Sequence, residues 1–205
     1  MDELSQSFKA YKVLLELCSD RNYIVPDEYN EIDFPTFRYL YNNKQYDIFC
    51  EKHKTIPNKK IYIKFIQGIK IKPNTIREYV TNITAEFLDN NDVENELIVV
   101  LKNKPNNSIL KIEKEKEFRH CEILWLAKVQ FNITKHCLVP KHIPLTESET
   151  EELLSKYNIT NIYQLPYFSK DDAIVRYYNF KPGTVCKILR PSKTAVEHTF
   201  YRCVK

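Results

Sequence analysis

The chain has 205 residues, 43% of them hydrophobic and 28% charged, with a formal charge of +4. That balance suits a globular chain that folds without disulfides or metals, and it excludes disordered and collagen-like classes. With only two glycines, neither a P-loop nor a dinucleotide fingerprint can be built, and the longest apolar runs, such as Leu97–Leu101, fall far short of the ~20 residues of a membrane helix.

The opening residues Met1–Gln6 are acidic and lack an apolar core, so no secretory signal is expected. Residues 4–18 read as a helix, because Leu4, Phe8, Tyr11, Leu15 and Cys18 recur at three and four. Pro26 opens a second short helix or turn, and Phe34-Pro35 a third through Tyr41. Tyr46–Cys50 and the alternating, β-branched Ile61–Ile66 are strands. Pro73 precedes a helix to about Leu88, with Ile76, Val80, Ile83 and Phe87 on one face and Asn74 or Thr75 as its cap. Glu96–Leu101 is a near-continuous apolar strand, the type covered on both faces, and Cys121–Leu126 is another. Residues 1–130 therefore read as an α/β domain.

Between residues 131 and 145 no periodic run survives, and Pro140 and Pro144 flank His142, so this stretch is expected to be a linker. A capping box, Thr146-x-x-Glu149, then opens a helix to Tyr157 that should bury Leu153, Leu154 and Tyr157. Asp171-Asp172 start a helix through Tyr178. Lys181-Pro182-Gly183-Thr184 reads as a type II turn, and Val185–Arg190 and Thr199–Val204 as strands. Residues 146–205 thus form a small α+β domain.

Six cysteines without a signal segment fit a reducing compartment, where thiols pack as small hydrophobes. The repeated pairs His120-Cys121 and His136-Cys137 are poor zinc ligands, since strand neighbours point to opposite faces and no C-x2-C unit exists. Nothing in the sequence selects a catalytic Cys–His pair. Asp47 on one strand and Lys64 on the next evoke a Mg²⁺-dependent nuclease, but Tyr62 stands where that motif needs a carboxylate, so the frame is nuclease-like without its active site. Residues 176–205 carry seven cations (Arg176, Lys181, Lys187, Arg190, Lys193, Arg202, Lys205) against one acid, Glu197. Interleaved with Tyr177, Tyr178, Phe180, Phe200 and Tyr201, they suit nucleic acid or an acidic protein surface, unless the aromatics are core.

Five ordered motifs carry a resemblance: Leu138–Thr146, Leu153–Tyr157, Gln164–Tyr167, Asp171–Tyr178 and Lys187–Ser192. In order and spacing they resemble the fifth subunit shared by eukaryotic nuclear RNA polymerases, whose carboxy-terminal module stands alone in archaeal RNA polymerases. Leu17–Tyr23, Glu96–Val100 and Phe131–His136 extend the likeness to the two-domain eukaryotic form. Asn179 stands where the family has glycine; asparagine tolerates the left-handed region that such a turn requires. The resemblance implies a non-catalytic subunit without cofactor. Its first domain would be a jaw beside downstream duplex DNA, and its second an assembly module on the largest subunit, with other core subunits as further partners. Arg176, Tyr177, Lys187, Arg190 and Pro191 are expected at that interface; the DNA-facing residues are not assigned. The AT-rich residue usage (Ile, Asn, Lys, Tyr) and divergent first domain suggest a homologue from a large cytoplasmic DNA virus of the African swine fever virus type, placed in the host cytoplasm and virion, or in the nucleus if cellular. Two alternatives stay open: a Mg²⁺-dependent nuclease-like enzyme and a free-standing module that binds a host protein.

Overall fold

Helix α1 (Glu3–Asp20) buries Ala10, Tyr11, Leu14, Leu15, Leu17 and Cys18 along one stripe. The computed structural model to which it belongs describes residues 2–68, 71–87, 95–192 and 196–205, and it divides into two units, Met1–Phe131 and Asn132–Lys205. Leu88, the expected end of the fourth helix, and Lys193 lie outside the described residues.

In the first unit, two short helices follow: α2 (Asp27–Asn30), behind Pro26, and α3 (Phe34–Asn42), capped by Asp33 through the Thr36 N–H. A four-stranded sheet is ordered β1 (Ile48–Cys50), β2 (Ile61–Ile66), β3 (Glu96–Leu101), β4 (Cys121–Trp125). The β1–β2 pair is antiparallel, and β2–β3 and β3–β4 are parallel. Helix α4 (Pro73–Phe87) connects β2 to β3 as a parallel crossover requires. It begins at Pro73, ahead of both expected caps, and the Asn74 side chain instead accepts from Arg77 Nη1 at 3.0 Å. Proline at the first helical position loses only a donor that has no partner there.

All six β3 residues are buried. Leu97, Val99 and Leu101 face a core completed by Ile76, Val80 and Ile83 of α4 and, from the β3–β4 connection, by Ile109 of the short helix α5 (Asn107–Leu110) and by Ile112. Register places Ile63, Ile98 and Glu122 together on the opposite face, with Phe65, Val100 and Leu124 in the next row. There Phe65 packs against Tyr11 of α1 and against Tyr46.

In the second unit the sheet order is β5 (Lys141–Pro144), β7 (Val185–Ser192), β8 (Val196–Val204), β6 (Tyr167–Phe168). The stretch expected as a linker is therefore structured. Residues 132–145 belong to this unit, and β5 pairs antiparallel with β7. Pro144 hid it. Cys186, its partner in β7, pairs with Arg202 on the other side, and Pro144 sits on an edge strand, where a missing N–H breaks no ladder bond.

Helix α6 (Glu147–Lys156) opens with both halves of the capping box formed. It buries Leu153, but Tyr157 is 54% exposed, contrary to expectation. The helix ends at Lys156, and Tyr157 is already its cap, turned off the buried stripe. Helix α7 (Ala173–Tyr178) is capped by Asp172 and ends at Asn179 with φ 53°, ψ 44°. Asparagine thus supplies the left-handed turn, as it does at Asn22, Asn58 and Asn158. Gly183 takes φ +88° in the turn before β7, closed by the Thr184 N–H on the Lys181 carbonyl at 3.0 Å.

Candidate functional site

Register sorts the second unit's basic and aromatic residues by face. Cys186, Ile188 and Arg190 of β7 share one face with Arg202, Phe200 and His198 of β8. Helix α7 covers that face through Ile174 and Val175, over a core that includes Phe168 and Val204. Val185, Lys187, Leu189 and Pro191 share the other with Cys203, Tyr201, Thr199 and Glu197, and α6 covers it through Leu153.

The five residues expected at an interface therefore do not form one patch. Lys187 lies beside the first turn of α6, where hydrogen bonds from Thr146, helped by the Lys187 charge, hold the Glu149 carboxyl below its ordinary pKa. Pro191 is exposed on that same face, past the end of β5, which pairs only as far as Leu189. Arg190 is exposed on the opposite face. Tyr177 is 8% exposed and serves the α7 core. Arg176 is half-buried on the same helix.

What the fold does bring together, and sequence spacing alone could not, is a strip along β8. The His198 ring stacks on Phe200 with centroids 4.2 Å apart, and the Arg202 guanidinium lies over Phe168 at 5.8 Å. Phe200 remains 42% exposed. His142, in the same row as Phe200 across Ile188, stacks on Phe168 at 5.7 Å. Its Nδ1 donates to the Pro140 carbonyl at 2.7 Å, and burial lowers its pKa. The alternation His198-x-Phe200-x-Arg202 was the readable signal once β8 was known to begin at Val196.

In the first unit, the chemistry-bearing groups are engaged structurally. Asp47 directly precedes β1; Lys64 donates to it at 2.5 Å, the Phe65 N–H at 3.0 Å and the Tyr62 hydroxyl at 3.3 Å. Tyr62, which spoils the nuclease motif, thus helps to hold the carboxylate. Among the described residues no group of three or more His, Cys, Asp or Glu side chains could hold a metal ion. Cys121 is buried, and His120 bonds Thr84 Oγ1 at 2.9 Å; in the second unit Cys137 is exposed, and His136 Nδ1 accepts from the Leu138 N–H.

The buried charge cluster lies elsewhere. Arg21, just past α1, donates to Glu96 at 2.7 Å and to Glu122 at 2.9 Å, and Lys59 meets the other Glu96 oxygen at 2.7 Å. Burial opposes the Arg21 charge, but Glu122 and Glu96 outweigh it and keep the guanidinium protonated. Burial would also raise Glu96, yet Arg21 and Lys59 hold it down at about 2. His53 closes the site: Nε2–H donates to the Arg21 carbonyl at 2.9 Å while Nδ1 accepts from the Thr55 and Ile56 N–H groups. Those bonds require the neutral ring, in keeping with a pKa lowered by burial and by Lys59. The Leu17–Tyr23 motif is thereby explained as the turn that aims Arg21 at two strands. Nearby, Ile24, Pro26, Tyr29, Phe49, Glu51 and Lys52 line an open recess of about 410 Å³, with one charge of each sign.

No helix among the described residues is long and apolar enough to cross a membrane. Residues 1–83 match the family model described as RNA polymerase Rpb5, N-terminal domain, and residues 131–204 match RNA polymerase Rpb5, C-terminal domain. The chain is 33% identical to DNA-directed RNA polymerase V subunit 5A of Arabidopsis thaliana, over 99% of this chain and 90% of that protein. It is 32% identical to the RNA polymerases I, II and III subunit rpabc1 of Dictyostelium discoideum, over the whole of both chains. The corresponding subunit RPABC1 of Caenorhabditis elegans is 28% identical over 99% of this chain and 98% of its own. The two family models match in order, one in each unit, and the relatives align over nearly the whole chain, so the chain belongs to the Rpb5 family of non-catalytic RNA polymerase subunits.

Proposed function

We propose that this chain is a structural subunit of a multisubunit DNA-directed RNA polymerase. Its second unit docks on the largest subunit, and its first unit forms part of a jaw beside downstream DNA. The observation that carries the reading is the end-to-end match of both units to proteins named as polymerase subunits. Tyr62, standing where a nuclease motif needs a carboxylate and donating to Asp47, supports a first unit without nuclease chemistry. Any DNA contact is electrostatic and made to phosphates, so removing one contacting lysine lowers the salt slope by about one unit. Composition supports a viral source, with work in the host cytoplasm.

Purification of the tagged full chain from cells that express it tests the reading. Stoichiometric recovery of the two largest polymerase chains is expected. Recovery with a single host regulator and no polymerase would favour a free-standing interaction module instead. A Mg²⁺-dependent cleavage assay should stay at background; turnover above it would restore the nuclease.

A further inference from the structure

Strand β8 has an unfinished edge. Its partner on that side, β6, is two residues long and pairs only with Cys203 and Val204. The Cys203 N–H donates to the Pro166 carbonyl and the Lys205 N–H to the Phe168 carbonyl, whereas the Val204 N–H turns the other way, to Thr184. Backbone direction alternates along a strand. Glu197, Thr199 and Tyr201 therefore aim their N–H and C=O groups past the end of β6, where no backbone group among the described residues meets them. Among the described residues the Thr199 carbonyl accepts from His198 Nδ1 at 3.1 Å, which leaves that oxygen a second lone pair.

The side chains beside this edge define what fits it. On the α7 side, β8 presents His198, the exposed Phe200 and Arg202, and Arg190 stands opposite His198 on β7. Neither Arg190 nor Arg202 makes an ion pair among the described residues, and no strand residue of β7 or β8 on that face is acidic. Pairing two copies of the edge would gather both sets of cations on one face.

We propose that this edge receives an extended, acidic segment of a partner polymerase chain as an added strand. Backbone bonds to Glu197, Thr199 and Tyr201 hold it, an apolar side chain covers Phe200, and carboxylates meet Arg202 and Arg190. The proposal rests on the reading that the second unit docks in a polymerase; it adds where and by what chemistry.

Amide hydrogen exchange at Glu197, Thr199 and Tyr201, compared between the free chain and the polymerase containing it, tests the idea. Exchange at least ~100-fold slower in the assembly is expected. Thr199→Pro removes an outward donor without touching the β7 ladder and should weaken incorporation by at least about 10-fold. Arg202→Glu, at an exposed position, should weaken it in the same direction, and Arg202→Lys, which also gives up the guanidinium over Phe168 but keeps the charge, should largely restore it. Fast exchange at all three amides in a polymerase that holds the chain stoichiometrically would overturn the added strand and leave the subunit assignment standing. Protection already present in the free chain would overturn it in favour of self-pairing. Failure of the unaltered chain to enter a polymerase would remove both readings.

Discussion

Arg21 shows how one side chain fixes a motif. A guanidinium shared by Glu96 and Glu122 is stable only while both carboxylates remain, since a buried charge without its partner costs about 3–5 kcal/mol. Arg21→Met should lose stability on that scale at neutral pH, read as a drop in denaturant midpoint. The wild-type pair also predicts acid sensitivity. Glu96 moves from an ordinary 4.5 to about 2 on folding, so its contribution, about 3 kcal/mol, is fully present above pH 4.5 and disappears as the pH falls towards 2. In Arg21→Met the slope over that window should flatten, because Glu96 then keeps only Lys59 as a cationic partner and its carboxyl is held down less. Denaturation followed from pH 7 to pH 2 decides this; an unchanged slope would show that Glu96 is not the group responsible. The motif around Arg21 could be seen in the sequence, but its partners could not, because Glu96 and Glu122 lie 75 and 101 residues away.

At the scale of elements, local chemistry was the most legible. The capping box at Thr146 and Glu149 forms as its spacing requires, with the Thr146 N–H donating to Glu149 at 2.8 Å. Thr146→Ala should cost about 1 kcal/mol, and a double-mutant cycle with Glu149→Ala should show coupling, measured by thermal unfolding. Glycine scarcity has a structural counterpart: among the described residues four asparagines occupy left-handed positions. At Asn179, which ends α7, Asn179→Ala should destabilise by about 1 kcal/mol while Asn179→Gly stays close to neutral. Equal losses in both variants would point to a side-chain contact instead. The strands that escaped reading, β5 and β6, are short, and β5 ends in a proline. Neither has a period of its own; each exists because a longer strand offers it an edge.

At the scale of the molecule, each unit owns a sheet and a buried core, so residues 132–205 should fold without the rest. A fragment of that span should melt cooperatively with native-like circular dichroism, whereas one starting at 146 should not, since it lacks β5 and the packing of Ile133 and Val139. Equal behaviour of the two would mean that 132–145 is dispensable after all. By itself, the amino-acid sequence determined the longer helices, the long strands, the αL asparagine and the family, because periodicity, caps and ordered motifs are local and additive along the chain. Only tertiary structure decided that Arg21 closes on two distant glutamates, that Lys187 and Arg190 part to opposite faces, and that β6 pairs with only the last two residues of β8. Those facts depend on strand register and on which strand ends first, and register is set by packing between segments far apart in the chain.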